Sequence, residues 1–91
     1  MCLTPERARE LLNNTFPDNF NSDNNPGDFE GTRPEGSFVA RIPDQAGSGE
    51  FTFQPFQDSP QCVFGRITSR RLNGARGFQN ERELVALLAQ L

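Results

Sequence analysis

Histidine, lysine, tryptophan and tyrosine are all absent from this 91-residue chain. Without histidine, the side chain best suited to moving protons near neutral pH is missing, and with it the commonest metal ligand. Without lysine, Schiff-base chemistry and the phosphate-gripping lysine of a P-loop are excluded. All nine basic residues are therefore arginines. Cysteine is scarce: Cys2 and Cys62 are the only two. A structural zinc site needs four Cys or His ligands, which one chain of this composition does not supply. No apolar run approaches a membrane span, and the opening residues turn charged at Glu6 and Arg7 without a secretory apolar stretch. On that ground a cytoplasmic location is expected, with Cys2 and Cys62 as free thiols. Cys2 would sit on a terminus that frays, and a disulfide between the two is the alternative.

What is present fits one domain over residues 1–91, with nine phenylalanines carrying most of the large apolar surface. Residues 4–14 read as a short helix. Thr4 can cap it, Pro5 suits its first position and Glu6 its first turn, while Leu3, Ala8, Leu11 and Leu12 lie near one face. Pro17 stops it. Residues 17–36 are rich in Asn, Asp, Gly and Pro, the turn formers, and their only apolar side chains are Phe20 and Phe29. A loop this long is uncommon inside a compact domain, so partial order anchored by those two rings is expected.

Residues 37–79 read as an antiparallel meander of about four strands. Ser37–Ile42 alternates, with Phe38, Ala40 and Ile42 on one side. Glu50–Phe56 follows, with Phe51 and Phe53 on one face and Pro55 suited to a strand edge or end. Gln61–Leu72 is the longest strand candidate, and Asn73-Gly74 after it is a strong hairpin signal. A two-residue turn there sets Leu72 opposite Ala75, Arg71 opposite Arg76 and Ser69 opposite Phe78. Val63, Ile67 and Phe78 then form a core face, and Phe64, Arg66, Arg70 and Leu72 the other. Asn80 caps an amphipathic helix over 81–91, with Glu83 three residues on and Leu84, Leu87, Leu88 and Leu91 in a stripe that must pack on the sheet. The fold class is α+β.

Charge is segregated. Residues 17–60 hold eight acids against Arg33 and Arg41, whereas residues 61–79 hold Arg66, Arg70, Arg71 and Arg76 and no acid. This describes a basic hairpin on an acidic body. Arg71 facing Arg76 would be a like-charge pair that an anion relieves, or that water and the body's own acids screen.

Chemistry is poorly provided for. A Ser/His/Asp set is excluded, and Cys62 in an apolar strand reads as a small buried hydrophobe. Acids fall mostly in turn-rich sequence, where they are solvated. Asp18, Ser22 and Asn24 miss the spacing of a calcium loop. No enzyme activity, cofactor or metal is expected. Phe51, Phe53, Phe56 and Phe64 beside the arginines could make a stacking platform for nucleic acid, although a pI near 4.8 opposes that. The leading expectation is a small regulatory or interaction protein that binds a larger protein. Arg66, Arg70, Arg71 and Arg76 would meet an acidic partner, or Phe20 and Phe29 would anchor on it. A nucleic-acid module using the same hairpin is the alternative, and a homo-oligomer joined at a sheet edge the third.

Overall fold

The computed structural model describes residues 2–16, 37–42 and 47–91. They form helix α1 (Pro5–Thr15), strands β1 (Phe38–Ile42), β2 (Gly49–Pro55), β3 (Val63–Ser69) and β4 (Arg76–Phe78), and helix α2 (Glu81–Leu88). The strands make one sheet in the order β1-β2-β3-β4, each pair antiparallel. This is the α+β meander that the alternating pattern predicts.

Both helices start as their caps dictate. Thr4 is extended, and its hydroxyl accepts the Arg7 N–H at 3.2 Å. Pro5 follows at a position whose N–H would have no helical partner anyway. Asn80 is extended, and its side chain accepts the Glu83 N–H at 2.9 Å. Glu83 reaches back one residue further than a capping box requires, accepting the Gln79 N–H at 2.8 Å. The last residues tighten into i to i+3 bonds, from Gln90 N–H to Leu87 and from Leu91 N–H to Leu88. The regular helix therefore ends at Leu88, short of the expected 91.

The core lies on one face of the sheet. Cross-strand register puts Phe38, Phe53, Gly65 and Phe78 in one row and Ala40, Phe51 and Ile67 in the next. Phe38 and Phe53 stack with centroids 4.5 Å apart, and Phe78 sits 5.3 Å from Phe53. Gly65 makes that row fit. A Cβ there would come 1.9 Å from the Thr52 carbonyl oxygen and 2.9 Å from the Phe78 ring. Leu84, Leu87 and Leu88 of α2 and Ala8, Leu11 and Leu12 of α1 belong to the same cluster. Each fully buried large side chain contributes about 1.5–3 kcal/mol relative to exposure. Outside the core, the Arg7 Nε donates to Glu81 at 2.8 Å and ties the two helices together. That hydrogen bond holds the Glu81 carboxyl below its ordinary range and raises the Arg7 guanidinium above its own.

The cysteines correct the expectation of free thiols. Cys2 and Cys62 form a disulfide, with Cα atoms 5.6 Å apart across 60 residues of sequence. The reason lies in Leu3. It is wholly buried in the core, and its carbonyl accepts the Val63 N–H at 2.7 Å. The residues before α1 are thereby held beside the start of β3 instead of fraying, which brings Cys2 to Cys62.

Candidate interaction surface

The hairpin register also differs from expectation. Ile67 lies opposite Arg76, Arg66 opposite Gly77 and Gly65 opposite Phe78. Residues 70–75 form a longer connection than a two-residue turn. Gly74 still has the positive φ such a reversal needs (93°), and its N–H donates to the Leu72 carbonyl at 2.9 Å. Two forces favour the shorter ladder. Leu72, expected on the solvent face with Arg66 and Arg70, instead turns into the core and is 6% exposed. The Phe78 ring also gains the space over Gly65, which Ser69 would not offer. The shift is even, so every strand residue keeps its face. The expected pairing of Arg71 with Arg76 does not occur, and no like-charge pair is stored there.

With register fixed, the four hairpin arginines separate. Arg70 Nε donates to the Gly47 carbonyl at 3.1 Å, and its own N–H donates to the same oxygen at 3.0 Å. Arg71 donates from its guanidinium to the Leu91 carbonyl, closing the C-terminal end of α2 onto the loop. Arg76 donates to the Asn73 carbonyl at 3.2 Å. These three side chains satisfy carbonyl groups of their own chain. By register, Arg76 shares a face with Ile67, whereas Arg66 stands on the opposite face of the sheet. Among the described residues, the Arg66 guanidinium has no hydrogen-bond or ion-pair partner. Phe20 and Phe29, the other expected contact residues, lie outside the described residues, as does the acidic segment 17–36.

Arg66 borders a shallow depression on the open face, lined also by Thr52, Gln54, Phe64, Gly77 and Gln79. Phe64 and Phe56 pack with centroids 4.7 Å apart, and both are half-buried. The four rings proposed as a platform thus divide: Phe51 and Phe53 are fully buried in the core, and Phe56 and Phe64 remain at the open face. Thr52, Gln54 and Gly77 go unremarked in the sequence reading. Their signal is the polar half of the β2 alternation and an isolated glycine beside an aromatic strand residue, a mark of close approach.

At this surface a guanidinium, two amides, the Thr52 hydroxyl, the Glu83 carboxylate and the Phe64 ring line one depression, and Phe56 packs on Phe64. That set suits recognition, the arginine for an anionic group and the rings for apolar contact. Among the described residues, three or more His, Cys, Asp or Glu never gather as a metal would need, and no helix is long and apolar enough to cross a membrane. No family model, curated protein or solved structure matches this chain.

Proposed function

We propose that this is a non-catalytic binding protein that engages a larger protein partner through the open face of its sheet. The observation that carries the reading is Arg66, without a side-chain partner among the described residues, beside the half-buried Phe56–Phe64 pair on the face the helices leave uncovered. Aromatic and arginine side chains together are the groups in which interface energy concentrates. Arg70, Arg71 and Arg76 support the shape of the loop, and their positive charge steers an acidic partner toward it.

Affinity capture at low salt tests this, comparing wild type with Arg66→Glu and nuclease-treated with untreated lysate. A protein retained by wild type, lost with the variant and indifferent to nuclease is the expected outcome. Equal retention by both proteins contradicts it. The nucleic-acid reading draws on the same aromatic pair and arginine, and it predicts capture that disappears with nuclease and falls steeply with salt.

The disulfide also supports a reading of the place of action. Such bonds persist in oxidising surroundings and are reduced in the cytoplasm. A working form with Cys2 bonded to Cys62 therefore favours an oxidising compartment over the cytoplasm expected from sequence. Alkylation of protein taken directly from cells distinguishes the two: no labelled thiol supports the bonded form, and two labelled thiols return the protein to the cytoplasm.

A further inference from the structure

We infer that the outer edge of β4 is a docking seam for an extended acidic segment of the protein partner, added as a fifth strand with a carboxylate opposite Gly77 held by Arg66. The inference rests on the protein-binding reading above and names its site. β4 is the last strand of the sheet, and Ala75, Arg76, Gly77 and Gln79 along it are all exposed. An exposed strand edge presents backbone N–H and C=O groups ready to pair with an incoming strand.

The register supplies the specificity. Thr52, Arg66 and Gly77 form one row on the open face, so a residue placed opposite Gly77 by an added strand extends that row. It would stand two strands from Arg66, roughly 10 Å away. A side chain at position 77 would fill that gap, and glycine leaves it clear. A Cβ at Gly77 would meet only the Gly65 carbonyl oxygen, at 3.7 Å. The long arginine stem can therefore lie across Gly77 and present its fork to a carboxylate, the geometry in which Arg pairs best.

Charge selects among occupants. Residues 61–79 hold four arginines and no acid. The nearest acid in the depression, Glu83, is engaged with the Gln79 N–H. Its charge disfavours a second acid at the Gln79 end, which sets the register toward Gly77. A second copy pairing through the same edge would bring two arginine-bearing hairpins without acids together, so self-pairing is disfavoured.

Selection from a phage library of random nonapeptides tests this, with wild type as bait and Gly77→Val as counter-bait. The valine fills the gap that Arg66 must cross, while a β-branched residue still suits a strand. An unchanged thermal midpoint for that variant certifies the fold. The expected pool carries Asp or Glu at one fixed position between β-branched residues. Its members lose about tenfold or more in affinity for Gly77→Val and for Arg66→Ala, as expected for a lost charged hydrogen bond. An empty pool, a pool without acidic enrichment, or acidic binders that tolerate Gly77→Val would overturn the seam. So would a dimer by sedimentation that Gly77→Val dissolves, or an oligonucleotide that competes with the peptides. A lysate partner retained by Gly77→Val but lost with Arg66→Glu sinks the seam and leaves the binding reading standing. Loss of neither sinks both.

Discussion

The two faces of one sheet have divided labour. On one, Phe38, Phe51, Phe53, Ile67 and Phe78 are buried under two helices. On the other, Thr52, Gln54, Phe64 and Arg66 border a polar depression. The same strands supply both sets by simple alternation, so the period of two that builds the core also builds the surface. What differs is tolerance. A change on the covered face must be absorbed by close-packed rings, whereas the open face can change its chemistry while the fold stands.

Four experiments sharpen the contrast. The largest effect is expected from Phe53→Ala, which removes the ring stacked between Phe38 and Phe78. A loss of about 3–5 kcal/mol in denaturant unfolding is expected, a large share of the roughly 5–15 kcal/mol that stabilises a native domain. Next is reduction of the Cys2–Cys62 bond or its replacement by Cys2→Ser, which frees a loop of 60 residues in the unfolded chain. Roughly 2–4 kcal/mol should be lost, read by comparing unfolding with and without reductant.

A smaller effect is expected at Glu81. Its carboxyl is held low by Arg7, so its contribution is present above the ordinary unfolded value near 4.5 and is lost as pH falls through the lower folded value. Wild type should therefore lose its advantage over Glu81→Gln between mildly acidic and strongly acidic pH. Because the pair is exposed and salt screens it, the difference should shrink further at high ionic strength. The smallest effect is expected at Arg66, whose substitution by Ala should move unfolding stability by no more than about 0.5 kcal/mol while changing binding. A larger loss would mean that the open face also holds the fold together.

Local rules reached far into this structure. Thr4 and Asn80 start the helices where hydroxyl and amide caps should, and alternation places Phe51, Phe53, Val63, Ile67 and Phe78 in the core as read. Legibility failed where two local signals competed with burial. Asn73-Gly74 favoured a tight hairpin, but Leu72 gained more by entering the core, so the ladder shortened. A terminal cysteine suggested fraying, but Leu3 immediately before the Thr4 cap is placed to staple onto Ala8, a cue for a docked terminus. The site was legible only as composition. A run of four arginines is visible in the sequence, yet only register reveals that three serve backbone carbonyls and that Arg66 stands apart on the open face.

Amide hydrogen exchange on the protein with and without its captured partner tests the division of faces most directly. The account predicts new protection at Thr52, Gln54, Phe64, Arg66 and Gly77, with α1 and α2 unchanged. Protection confined to the helices, with the open face exchanging as before, would contradict it.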